Sequence, residues 1–106
     1  MEIIPLEAEP NQQLLVILDD QECTLGVYSR GNRLFMDLTV DATPVFSGAI
    51  CHNGADIVPF PTGLFRGSLH FYDREGHSDP TWDGLKNRYF LIYLAEGETL
   101  PDALAY

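Results

Sequence analysis

The sequence predicts an all-β fold, an antiparallel β-barrel or β-sandwich of about seven strands with at most one short helical turn. Two observations carry this. Short β-branched and aromatic runs recur from Leu14 onward, separated by clusters of Gly, Pro, Asn and Asp. Strict alternation over residues 33–41 sets Leu34, Met36, Leu38 and Val40 against Phe35, Asp37, Thr39 and Asp41, the period of a sheet with one buried face.

The elements follow in order. Residues 13–18 form a first strand, Asp19-Asp20-Gln21 supplies turn chemistry, and residues 22–29 return with Cys23, Leu25 and Val27 on one face. Arg30-Gly31-Asn32 makes the next tight connection, because Gly and Asn tolerate positive φ. Pro44, lacking a ladder donor, ends the strand over residues 33–41, and residues 45–51 continue the meander with Gly48 marking a bulge or close approach.

Residues 57–67 combine Pro59 and Pro61 with several apolar side chains without a clean period, and read as an ordered loop. Residues 67–73 return to strand character, and Asp73-Arg74-Glu75-Gly76 reads as a reverse turn. In residues 79–85, Asp79 can cap, Pro80 suits a first helical position and Gly84 can terminate, which allows one helical turn. In Tyr89-Phe90-Leu91-Ile92-Tyr93-Leu94 both faces are apolar, as in a strand that is central or covered by a partner chain. Residues 1–95 are read as a single β-domain and the acidic residues 96–106 as a tail, mobile or docking.

Composition narrows the function. Six basic against sixteen acidic residues give a formal charge of -10, a surface that repels phosphate backbones and anionic lipid and argues against direct nucleic-acid binding. The same charge suits a channel lining that DNA passes without sticking, or simple solubility. The start Met1-Glu2-Ile3-Ile4-Pro5 lacks signal-peptide features, and no apolar run approaches the ~20 residues that span a bilayer, so cytosolic synthesis and no membrane contact are expected. Cys23 and Cys51 are then read as reduced core thiols.

Candidate chemistry is thin. His52, His70 and His77 are too scattered for a zinc signature, and residues 73–79 do not complete a calcium loop, so no metal and no cofactor are expected. Ser47, Ser68, Cys51, His52 and Asp56 supply ingredients for nucleophilic catalysis, but Cys51 and His52 are neighbours whose side chains point to opposite sheet faces. Asp19 with Asp20, or Asp37 with Asp41, read as exposed charge rather than an acid/base pair. The chain is therefore expected to have no catalytic residues. Trp, Tyr and Arg are enriched at interface hot spots, and the apolar side chains of residues 59–65 and the last strand exceed what one small sheet covers. Phe60, Phe65, Trp82, Arg88, Tyr89 and Tyr93 are accordingly the expected partner-binding residues.

A wider pattern runs in order along the chain: Met1-Glu2-Ile3-Ile4-Pro5-Leu6, then Leu34-Phe35-Met36-Asp37-Leu38 and Gly48-Ala49-Ile50-Cys51. Asp79-Pro80-Thr81-Trp82-Asp83-Gly84-Leu85 follows, closed by Arg88-Tyr89 and Leu91-Ile92-Tyr93-Leu94. This pattern resembles the small baseplate plug proteins of contractile-tailed, cyanophage-type bacteriophages. The resemblance implies a non-enzymatic virion component at the distal end of the tail. It implies a β-structured subunit of a symmetric ring, a trimer being favoured, that plugs or completes the central channel. Its partners would be the baseplate hub protein and adjacent tail-tube or spike components. The sequence departs from the family in its acidity and in residues 96–106, which do not align. The alternative is a small β-barrel ligand-binding module with Trp82, Phe60 and Phe65 as a pocket wall.

Overall fold

Three two-residue turns organise the first half of the chain. Asp19 and Asp20 (φ 51° and 60°), Gly31 and Asn32 (56° and 65°), and Asp41 and Ala42 (48° and 69°) all take the left-handed conformation. Paired positive φ values define the type I′ turn, whose twist matches that of the strands it joins. In the computed structural model, which describes residues 1–58 and 63–99, these turns connect β2 (Asn11–Leu18), β3 (Gln21–Arg30), β4 (Arg33–Val40) and β5 (Thr43–Ile50) into a four-stranded antiparallel meander. A second antiparallel sheet has the order β1 (Glu2–Ile4), β7 (Tyr89–Leu94), β6 (Ser68–Asp73).

The meander matches the expected segments, with one instructive difference. Pro44 does not break the chain but lies inside β5, opposite Thr39. It is tolerated because β5 is an edge strand, where a missing N–H costs no ladder bond. Gly48 (φ 70°) marks the expected bulge: Met36 faces Ala49 and Leu38 faces Phe46, so Asp37 opposes both Ser47 and Gly48. Asp37 Oδ1 fills the bulge, accepting the Gly48 N–H (2.7 Å), the Ser47 hydroxyl (3.2 Å) and the Tyr28 hydroxyl (3.1 Å).

β1 was not among the expected strands. Its three residues, followed by Pro5, give no readable period, and it exists because Ile4 pairs with Leu91 and buries its side chain in the core. β7 is thereby the central strand of its sheet, which accounts for its two apolar faces. Tyr89, Leu91 and Tyr93 point into the core, while Ile92 is covered on the opposite face, between its β1 and β6 neighbours Ile3 and His70.

The core lies between the two sheets. Leu18, Cys23, Leu25, Val27, Leu34, Met36, Leu38 and Val40 come from the meander, and Ile4, Leu69, Phe71 and Leu91 from the other sheet. Each Leu or Phe so buried contributes roughly 1.5–3 kcal/mol of transfer free energy. Beyond β5 the chain crosses to the second sheet. Cys51 N–H still bonds Leu34 O (3.0 Å), then Gly54 N–H bonds Phe71 O (2.9 Å) and Ile57 N–H bonds Leu69 O (2.8 Å). The two sheets are thus stitched together along β6. Ile57 and Phe65 anchor the expected loop in the core, while Phe60 lies outside the described residues.

The expected helical turn is a single 3-10 turn at Trp82–Gly84. Thr81, not Asp79, is its N-cap residue and makes no side-chain capping bond. Gly97 (φ 88°) turns the start of the tail, and Glu98 accepts the Ala95 N–H (2.7 Å) and pairs with the amino terminus.

One backbone position tests this packing. Gly67 has φ 98°, and a Cβ there would overlap the Leu94 carbonyl oxygen and crowd the Tyr93 ring, whereas a Cβ on Gly31 meets open space. Gly67→Ala is expected to cost about 2–4 kcal/mol and Gly31→Ala about 1 kcal/mol. Urea midpoints at unchanged slope measure the difference.

Candidate functional site

The segment between β6 and β7 is held by two carboxylates. Asp73, at the end of β6, is buried, and its oxygens receive Arg88 Nε (2.8 Å) and Nη2 (2.9 Å) in a forked pair, together with the N–H groups of Glu75 (2.9 Å) and Ser78 (2.9 Å). The Arg88 guanidinium holds the Asp73 carboxyl far below the usual carboxylate range. The Glu75 and Ser78 amides act in the same direction, against the opposing effect of burial. Arg88, 33% exposed at its side chain, also lies over the Tyr89 ring at 5.1 Å.

Asp79 makes the second anchor. Its Oδ1 accepts the Asn53 N–H (3.0 Å), its Oδ2 accepts Arg33 Nη2 (3.0 Å), and His52 Nδ1 lies 3.2 Å from the same oxygen. The Asn53 amide, then His52 and Arg33, lower the Asp79 carboxyl below its ordinary value. Asn53 in turn accepts the Asp73 N–H (3.0 Å), so the two anchors share one residue. Between anchor and strand, Arg88 N–H bonds Gly84 O (2.8 Å), Leu85 is buried, and a Cβ on Gly84 would come within 2.5 Å of the Tyr89 ring. Glycine is therefore required at position 84 for close approach rather than to end a helix.

This frame presents Trp82, 37% exposed, at the tip of the segment. The other expected contact residues are placed differently. Phe65 and Tyr93 are buried and meet edge to face at 5.8 Å, with the Tyr93 hydroxyl donating to Arg66 O (3.2 Å). Tyr89 is buried beneath Arg88, and the Arg88 guanidinium is committed to Asp73. Phe60 lies outside the described residues. Sequence reasoning passed over Asp73, because its partner stands fifteen residues away and no local pattern announces the pair.

Apolar surface faces outward on both sheets, at Leu15, Ile17 and Ile50 of the meander and around Ile3 on the three-stranded sheet. Ile3, Tyr72, Arg74, Phe90 and Ile92 line a shallow depression of about 420 Å³, with the Arg74 guanidinium 6.0 Å from the Phe90 ring centre. A neighbouring depression of about 330 Å³ is lined by Ile3, Pro5, Leu6, Lys86 and Phe90, among others. Trp82 and Phe65, the pocket wall of the ligand-binding alternative, line neither.

Groups with latent chemistry are engaged elsewhere. Cys23 and Cys51 are buried free thiols, and burial pushes Cys51 up to about 12. His52, just beyond β5, is exposed and lies 3.2 Å from Asp79, while the neighbouring Cys51 thiol is buried. Asp56 accepts the N–H groups of Val58 (3.1 Å) and Leu69 (3.3 Å). Ser68 Oγ lies 2.7 Å from His70 Nε2, but the group orienting that ring is the Gly54 carbonyl (3.1 Å) rather than a carboxylate. Asp19 pairs with Arg66 (2.8 Å). Among the described residues no group of three or more His, Cys, Asp or Glu is placed to hold a metal ion.

The structure thus defines an all-β, two-sheet module whose most prominent irregular element is a rigidly anchored segment displaying a tryptophan. Residues 1–96 match the family described as cyanophage baseplate Pam3 plug gp18, and the chain belongs to that family. No curated protein matches the sequence. Membership assigns the chain to the tail baseplate of a phage virion, in association with other baseplate components. The match ends where the acidic residues 96–106 begin.

Two outcomes follow from the anchors and the thiols. A carboxyl depressed in the folded state contributes stability that is fully present above its unfolded value of about 3.9 and is lost as pH falls through the folded value. Stability should therefore fall below about pH 4, and Asp73→Asn should cost about 2–3 kcal/mol at pH 7 while flattening that acid limb, measured by urea titration across pH. Both cysteines should resist alkylation by iodoacetamide at pH 8 in the folded chain and react fully in urea, read by intact mass.

Proposed function

We propose that the chain is a non-enzymatic structural subunit that assembles with the central hub of the baseplate and helps to plug or complete the tail channel. It acts through shape and self-association, in a closed ring for which a trimer is favoured, with tail-tube or spike components as further neighbours. The observation that carries this reading is the family match over residues 1–96. The anchored 74–88 segment adds physical support, because a loop already fixed by Asp73 and Asp79 loses little conformational entropy when a partner covers Trp82. Synthesis in the host cytoplasm, before incorporation in the virion, fits two reduced thiols.

The non-enzymatic part of the reading is supported by what the reactive side chains do. A thiol at about 12 stays protonated at neutral pH, and His52 serves the Asp79 anchor. The charge of -10 suits a channel component that DNA must pass without adhering.

Light scattering on the chain alone and mixed with the purified hub protein of the same baseplate tests the proposal. A stoichiometric complex at micromolar concentration is expected, weakened about tenfold by Trp82→Ala. A monomer indifferent to the hub would count against assembly and return attention to ligand binding.

A further inference from the structure

The two sheets have four edge strands, and three of them are protected. β1 offers only three residues. β5 carries Pro44 and the bulge at Ser47 and Gly48. β6 is covered by the crossing segment, whose Gly54 and Ile57 amides bond Phe71 and Leu69. Proline, bulges, short length and covering segments are the devices by which sheets prevent pairing with other chains.

Among the described residues, β2 has none of them. It is eight residues long, pairs with β3 without a register shift, and contains neither proline nor any charged residue. Its sequence Leu14-Leu15-Val16-Ile17-Leu18 is apolar on both faces, with Leu15 61% and Ile17 55% exposed. The hairpin closed by Leu18 and Gln21, and the bond from Ser29 N–H to Pro10 O (2.8 Å), fix which residues bond to β3. By antiparallel alternation these are Gln12, Leu14, Val16 and Leu18. The N–H and C=O groups of Gln13, Leu15 and Ile17 therefore point away from β3, beside the two exposed side chains. Among the described residues, β3 is the strand that pairs with β2.

We infer that β2 is a strand-addition site that accepts an extended segment of another baseplate protein, apolar at alternate positions and basic at its flanks. This rests on the proposal that the chain works by assembly, and names the surface and the chemistry of the partner. The basic flanks follow from charge. Exposed Glu9 precedes β2, and exposed Asp20 and Glu22 follow it. Of the nearby cations, Lys86 pairs with Glu7, Arg66 pairs with Asp19, and Arg30, which borders Pro10 and Asn11, lies over the Tyr28 ring. A second copy of this chain fits poorly. Antiparallel β2 to β2 pairing would set Asp20 and Glu22 of one copy against Glu9 of the other at both ends, between chains of charge -10.

The test compares hydrogen exchange of the full chain, free and mixed with the purified hub protein, alongside two variants. Leu15→Pro removes an outward N–H without removing a bond to β3, and Ile17→Lys places a charge on the exposed edge. Thr43→Lys on β5 serves as the control, and circular dichroism establishes that each variant is folded. The expected result is protection of residues 11–18 in the complex, at least tenfold weaker binding by Leu15→Pro and Ile17→Lys, binding by the Thr43→Lys control within twofold of the parent, and weaker binding as salt rises. A complex that leaves residues 11–18 unprotected and tolerates both variants would overturn strand addition while sparing assembly. Absence of any complex would overturn both. A self-associating chain whose residues 11–18 are protected without the hub, and which Ile17→Lys dissolves, would assign the edge to a second copy instead.

Discussion

The arrangement of the second half of the chain depends on one ion pair. Asp73 ends β6 and Arg88 precedes β7, so their forked contact closes the long connection between two hydrogen-bonded neighbours. A buried carboxylate is costly unless every oxygen is supplied with donors. Here two guanidinium N–H groups and two backbone N–H groups do so, and the latter also fix the turn at residues 74–78. With that turn fixed, Asp79 is brought to Asn53, His52 and Arg33, and the 3-10 turn falls where Leu85 can enter the core.

The meander was legible because its information is local. Leu34, Met36, Leu38 and Val40 announce a buried face by period alone, and Asp19-Asp20 and Gly31-Asn32 announce tight turns by composition. Ala42 gives no such signal, yet its φ of 69° is imposed by the strands on either side. β1 was illegible for the opposite reason. Three residues carry no period, and their pairing with β7 is a contact between chain ends that no window of sequence contains.

The site was less legible than the fold, again for a physical reason. Residue type identified the aromatics and Arg88 as interface candidates, but type does not reveal direction. Tyr89 and Tyr93 alternate into the core with Leu91, Phe65 packs against Tyr93, and Arg88 is claimed by a carboxylate. Trp82 stays outside because Thr81, Trp82 and Gly84 sit on a turn held from both ends. Similarly, nothing in the sequence of β2 shows that it is an edge strand. That its outer side is open among the described residues appears only when Pro44, the bulge and the crossing segment are seen to shield the rest.

The pairing of β1 with β7 also orders the events of the protein's synthesis. The four strands of the meander are consecutive and joined by two-residue turns, so their closure entropy is small, and they can pair as soon as residue 50 has left the ribosome. The second sheet cannot. Glu2 must find Tyr93, and Ile4 must find Leu91, so Ile4 and the inner face of the meander wait without their covering layer until β7 has been made. Completion of the core is thereby tied to the appearance of β7, and a product that stops short of β7 keeps its apolar face open and cannot present the finished anchored segment to a growing assembly.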